Sequence, residues 1–189
     1  MYAAVNPVVG RGYDYGFQDP VSSNVAFGRP AWQSTTFQHR AATFATDGDV
    51  SGVVEDNTIA HTAGNHDPNP WWQVDLGAAY LIAEVNVYHR TDCCQDRLSG
   101  ANVIVSDDAE YTTGTVCGVL VATPVETVQC NVPGSVVTVQ HSGRMITICE
   151  IEVMARFDRR SEVVKDSSLC PGDICLSASE LLFTPDNWE

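Results

Sequence analysis

Four segments, LIAEVNVYH, ANVIVS, SVVTVQH and RMITICEIEVMARF, are short, rich in β-branched residues and separated by turn-forming residues. Within the first, Leu81, Ala83, Val85 and Val87 alternate with polar Glu84 and Asn86. A strand would place the apolar set on one face and the polar set on the other. No segment carries a long amphipathic helical stripe. Short strands at close spacing predict an all-β fold, a sandwich or a barrel. The two ends fall outside this pattern. Residues 1–23 are rich in Gly, Pro and Tyr without a sustained period, and read as a flexible arm. From about Asp158 the chain becomes acidic and turn-rich. The folded domain is therefore placed at 24–157, with a C-terminal tail at 158–189.

A chain of 189 residues has room for one domain with a real core. Its formal net charge of -14 argues against nucleic acid or an anionic membrane as the main partner. Lys165 is the only lysine, so arginine supplies the other basic side chains. Arginine holds planar, multi-donor geometry better than lysine. Seven cysteines point to an oxidising compartment and leave one thiol over. Clustered cysteines can also hold zinc, but no pair of Cys-x-x-Cys knuckles is present. No apolar run is long enough to span a membrane. Met1 to Pro20 lacks the basic start and apolar core of a signal peptide. The expectation of secretion thus rests on the cysteines and requires that a leader was removed beforehand.

Two stretches carry the chemistry. In PWWQVDLG, adjacent Trp71 and Trp72 point to opposite faces of a strand, so one fills the core and the other covers an end of the sandwich. Sugar stacking is the weaker reading for either ring. With NVAFGRPAWQST, this motif resembles the discoidin or coagulation-factor C-type family of jelly-roll β-sandwiches, whose ligands bind through loops at one end. In HRTDCCQDR, Tyr88 ends a strand, so Arg90 to Arg97 form a loop at its tip, where binding sites commonly lie. Arg90 and Arg97 converge only if that loop folds back tightly. Adjacent Cα atoms lie about 3.8 Å apart, whereas ordinary disulfides want about 4.4–6.8 Å. A Cys93–Cys94 bridge would be a strained ring with a distorted or cis peptide. The more ordinary alternative is that each cysteine pairs elsewhere.

Taken together, these residues resemble the F-type lectins, a fucose-binding branch of the discoidin-like folds, over about Asn24 to Phe157. The resemblance rests on a His, an Arg, an Asp two residues on and a further Arg, here His61, Arg90, Asp92 and Arg97. It implies a vicinal Cys93–Cys94 disulfide packed on a sugar edge. Arg90 and Arg97 would donate to the 3- and 4-hydroxyls and ring oxygen of L-fucose, and His61 would bond the axial 4-hydroxyl. Asp92 would orient an arginine. Phe37 would cover the C6 methyl or simply pack, and the loop at Val54–Glu55 would flank the pocket. Twenty-eight residues separate His61 from Arg90, slightly more than the family pattern, so His66 is a rival for the histidine role. The resemblance also implies structural Ca²⁺ near FATDGDV. Its ligands would be the side chains of Asp47, Thr58 and Glu150 and the carbonyls of Phe44, Asp49 and Cys149, since Ca²⁺ takes about six to eight oxygens. Cys117–Cys130 matches a family disulfide. Ile59 stands where Cys149 often has a partner, so Cys149 is expected free and buried. Cys170–Cys175 would clip the tail, unless Cys149 bonds one of the two.

The expected function is a calcium-stabilised, non-catalytic lectin for terminal fucose on glycans or glycoproteins. Weak single sites would act multivalently, through homo-oligomers or tandem domains. Innate recognition and cell adhesion, including gamete recognition, are the expected settings, with membranes met only through glycoconjugates. The alternative is a discoidin-like adhesion module for another glycan, a protein or a lipid head group. A glycosidase needs paired carboxylates, and no such pair stands out around a basic loop.

Overall fold

The computed structural model describes residues 21–53, 58–64 and 67–157. The expectations for the N-terminal arm up to residue 20, for Val54–Glu55, for His66 and for the tail with Cys170–Cys175 lie outside the described residues.

Among the described residues nine strands form: β1 (Val21–Asn24), β2 (Ala31–Gln33), β3 (Ala60–His61), β4 (Trp71–Tyr88), β5 (Asn102–Ser106), β6 (Thr115–Val119), β7 (Val125–Gln140), β8 (Thr147–Ile148) and β9 (Glu150–Phe157). Helical geometry among the described residues is confined to three short 3-10 turns, at Ala42–Ala45, Gln95–Leu98 and Tyr111–Thr113. The large sheet runs β1-β9-β4-β7-β5-β6, with β2 on β4, and β3 pairs with β8. Every pairing is antiparallel. The expected all-β sandwich is what forms.

Three features depart from the sequence reading. First, strand structure starts at Val21, paired with Phe157, before the expected boundary at 24. Ser22 and Ser23 carry no apolar period, so this strand is set by backbone pairing with β9. The Asn24 carboxamide oxygen reinforces it by accepting from the Ala26 and Val153 N–H groups at 3.0 and 3.1 Å. Second, β4 and β7 are long, 18 and 16 residues, and pair on both sides of an irregularity between Asp75 and Tyr80. Third, Leu81 is 45% exposed while Ile82 is fully buried. A register shift between Ile82 and Glu84 resets the alternation, so Ile82, Val85 and Val87 face inward.

The core joins Trp72, Val74 and Leu76 from the first half of β4 to Ile82, Val85 and Val87 from the second, with Val103, Val137, Ile148, Ile151 and Val153. Trp72 is the tryptophan that fills the core. Its indole N–H donates to the Ala42 carbonyl at 2.9 Å, so its one polar atom is satisfied. Trp71 lies half-buried on the opposite face. Cys117 and Cys130 join the edge strand β6 to β7, their Cα atoms 4.8 Å apart. A bridge closing such a loop contributes on the order of 3 kcal/mol. Because Ile151 is fully buried, Ile151→Val should cost about 1 kcal/mol. Urea unfolding would show a lower midpoint with an unchanged slope.

Candidate functional site

The loop after β4 is organised by one carboxylate. Asp92 accepts two hydrogen bonds from Arg90, from Nε at 3.0 Å and from Nη2 at 2.9 Å. It also accepts the Cys93 N–H at 2.9 Å. The same side chain therefore orients a guanidinium and starts the next turn. Cys93 and Cys94 are disulfide-bonded, their Cα atoms 3.8 Å apart. The peptide between them is trans, not the cis form that the sequence left open. The chain turns at Cys94, which sits in the left-handed region at φ 62°. The Cys94 carbonyl then accepts the Arg97 N–H at 3.2 Å. Leu98, 1% exposed, plugs the loop into the core. Nearby, Gly52 lets a neighbouring loop approach: its carbonyl accepts the Thr91 N–H at 2.7 Å. A Cβ there would sit 2.5 Å from the Thr91 side chain.

Arg97 is thereby aimed at His61. Its Nη1 lies 3.1 Å from His61 Nε2 and 3.2 Å from Thr147 Oγ1. His61 and Thr147 are register partners across β3 and β8. His61 Nδ1 is 2.6 Å from the Thr62 carbonyl, which can only accept, so Nδ1 carries the proton. Nε2 is then a lone-pair acceptor. Burial lowers the His61 pKa, as do the charges of Arg97, Arg40 and Arg90, while the Thr62 carbonyl opposes the shift. The imidazole is held neutral. The Phe37 ring lies 4.8 Å from the His61 ring, and its N–H donates to the His61 carbonyl at 2.9 Å.

A cavity of about 630 Å³ opens over these groups, lined by Phe37, His61, Arg90 and Arg97 as expected. Arg40, Asp67 and Met145 line it too and were not singled out from the sequence. Asp67 is pinned by the hydroxyls of Ser34 and Thr35. Asp92, Cys93 and Cys94 do not line the cavity, and act through the loop that presents the two arginines. Asp67 in the lining and Asp92 behind Arg90 offset part of the charge of the three lining arginines, which leaves the cavity modestly positive. The arrangement offers forked donors, one neutral acceptor and an aromatic wall, which suits an uncharged, oxygen-rich ligand.

The NedA-like, galactose-binding domain of the F5/F8 type C group matches residues 44–145, more than half of the chain. Fucolectin-1 of Anguilla japonica is 32% identical over 148 residues, 71% of this chain and 82% of its own. The chain belongs to the F-type lectin family. Among solved structures, the F-lectin from striped bass (Morone saxatilis) serum shares 30% identity at a TM-score of 0.66, over 71% of this chain and 49% of its own. The lectin domain of lectinolysin, solved with Lewis b antigen, shares 29% identity at a TM-score of 0.63, over 71% of this chain and 98% of its own.

In this F-type lectin, the residues expected around an ion come from the segment after β2, from Thr58 and from the start of β9. Glu150 opens β9 and is fully buried, and among the described residues neither carboxylate oxygen has a hydrogen-bond partner. Burial pushes its pKa up to about 7, and the charge of Asp47 adds to the shift. The Gly48 and Asp47 amides oppose it without reaching hydrogen-bond geometry. Asp47 is otherwise engaged with the Asp49 N–H at 2.9 Å, and Asp49 with the Ser51 N–H at 2.8 Å. Phe44 lies in the turn Ala42–Ala45, and the Thr58 hydroxyl donates to the Val53 carbonyl at 3.4 Å. Among the described residues, no three His, Cys, Asp or Glu side chains form a metal cluster. The expected ligand set is of another kind, with two side-chain carboxylates and the rest carbonyls and a hydroxyl. Cys149 is free and buried, and burial pushes its thiol up to about 11. His89, beside Arg90 in sequence, is buried 3.4 Å from Glu126 and lines no part of the cavity.

Proposed function

We propose that this F-type lectin binds terminal L-fucose on glycans, without catalysis. The observation that carries the reading is the convergence of Arg90, Arg97 and His61 on one cavity, with Arg97 Nη1 only 3.1 Å from His61 Nε2. Arg90 and Arg97 donate to the 3- and 4-hydroxyls and the ring oxygen. The axial 4-hydroxyl takes the place of Arg97 Nη1 as donor to the one lone pair of His61 Nε2, and an equatorial hydroxyl would point away from it. Phe37 covers the C6 methyl. Support comes from the fucolectins of Anguilla japonica and from the lectinolysin domain solved with Lewis b. A glycan array tests it: signal should follow terminal fucose and vanish after fucosidase treatment. Equal signal with and without fucose would contradict it.

Ca²⁺ fits the Glu150 region, because a buried carboxylate without partners is stabilised by a cation. Asp47, Thr58, Glu150 and the carbonyls of Phe44, Asp49 and Cys149 would hold it. The ion would supply structural charge compensation and no contact with sugar. Disulfides favour an extracellular setting, and weak single sites favour multivalent use through oligomers, in immunity or adhesion.

The histidine gives a pH signature. Its lowered pKa keeps Nε2 an acceptor at pH 6.5, where an ordinary imidazole is about half protonated. Fucose affinity should therefore fall at lower pH than an ordinary imidazole would set, as Nε2 gains a proton. Between the folded and unfolded pKa values the unfolded chain binds more protons. Stability thus declines as pH drops below 6.5 and levels off below the folded value. Calorimetric titrations across this range would check both trends. Affinity already halved at pH 6.5 would contradict the neutral-acceptor role.

A further inference from the structure

A second cleft, of about 580 Å³, shares none of its lining residues with the first. It lies on the face of β2, β4 and β7 turned away from the core. Trp32 on β2 pairs with Gln73 on β4, so Trp71 and Asp75 are its diagonal neighbours on that face. Trp32 is 52% exposed, and Trp71 is half-buried beside it. Neither indole is used in a ring contact among the described residues. Asp107 and Asp108 line it as well.

The amide donor of Gln73 and the hydroxyl of Ser135 in this cleft are already committed. Gln73 Nε2 donates to the Ala109 carbonyl at 3.0 Å and to Thr138 Oγ1 at 2.9 Å. The Ser135 hydroxyl donates to the Asp107 carbonyl at 2.6 Å. Its acceptors are open by comparison. Asp75 and Asp108 each use one carboxylate oxygen on a nearby N–H, and the Asp107 carboxylate makes no hydrogen bond among the described residues. No lysine or arginine lines the cleft. Indole faces beside uncommitted carboxylates attract a positively charged nitrogen on an organic body. A neutral sugar could use the three carboxylates only as hydrogen-bond acceptors and gains no charge pairing from them, and anions are repelled. The charge is opposite to that of the arginine-lined cavity.

We propose that this cleft is a second binding site, for an organic ammonium group. Two sources share that chemistry, a protonated amino sugar and a quaternary ammonium. The proposal is independent of the fucose reading. The test uses the full 189-residue chain labelled with ¹⁵N. It is titrated with choline chloride, with a glucosamine tetramer and with the N-acetylated tetramer. The indole N–H signals of Trp32 and Trp71 should shift, and that of buried Trp72 should not. Shifts with choline alone assign a quaternary ammonium, and shifts with the glucosamine tetramer alone assign an amino sugar. Trp32→Ala should weaken binding about tenfold, and Asp107→Asn with Asp108→Asn at least as much. Added salt should weaken it as well. Fucose binding should be unchanged in all variants. No indole shift with either cation, equal shifts with the N-acetylated tetramer, or unchanged binding by Trp32→Ala would each overturn the proposal.

Discussion

Arg97→Ala should weaken L-fucose binding about a hundredfold while leaving the melting temperature nearly unchanged. The side chain reaches His61 Nε2 and Thr147 Oγ1, so its donors sit at the meeting point of β3, β8 and the cysteine loop. Charge-assisted hydrogen bonds contribute about 1.5–3 kcal/mol each, and losing a forked donor leaves sugar oxygens unpaired in a partly dry site. Alanine also removes the group that presents His61 to ligand. The loop itself should survive, because Leu98 and the Cys93–Cys94 ring anchor it independently of Arg97. Arg97→Lys keeps the charge but not the fork, and should recover only part of the affinity. Calorimetry alongside thermal unfolding separates binding from folding. Unchanged affinity in Arg97→Ala would remove this residue from the sugar site.

Calcium removal should lower the melting temperature by on the order of 10 °C. An ion present at a hundred times its dissociation constant contributes about 2.7 kcal/mol to the folded state. Glu150 is where that contribution would be felt, since its buried carboxylate has no hydrogen-bond partner among the described residues. Glu150→Gln sharpens the test. It should abolish the response to chelator, and the variant without calcium should be no less stable than the wild type without calcium, because an uncompensated charge has gone. Sugar affinity should fall with the ion, because Glu150 follows closely on Thr147, the register partner of His61. An identical melting curve with and without chelator would contradict a structural ion.

The fold class was legible because alternation within single segments is local information. The breaks in that alternation were not. Leu81 and Ile82 exchange faces at a bulge that no composition marks. Gly77 takes φ 78°, yet β4 continues through it. On the site side, Arg90, Asp92 and Arg97 were legible because they share one short loop whose internal spacing is specific. His61 needed a family resemblance, since a lone histidine 29 positions upstream of Arg90 has no local signature. Arg40, Asp67 and Met145 reach the cavity only through long-range packing, which sequence spacing does not encode. Trp71 could be assigned to a face other than that of Trp72, but its neighbour Trp32 depended on the β2–β4 register.

The most direct test of the central claim is a pair of calorimetric titrations, one with L-fucose and one with its C4 epimer, 6-deoxy-L-glucose. Both sugars carry the same methyl group and ring oxygen and differ only in the hydroxyl assigned to His61 and the arginines. Losing an aligned hydrogen-bonding group at a polar site should cost at least about a hundredfold in affinity. Binding of L-fucose with no measurable binding of the epimer is the predicted result. Equal binding of the two sugars, or binding of neither, would contradict it.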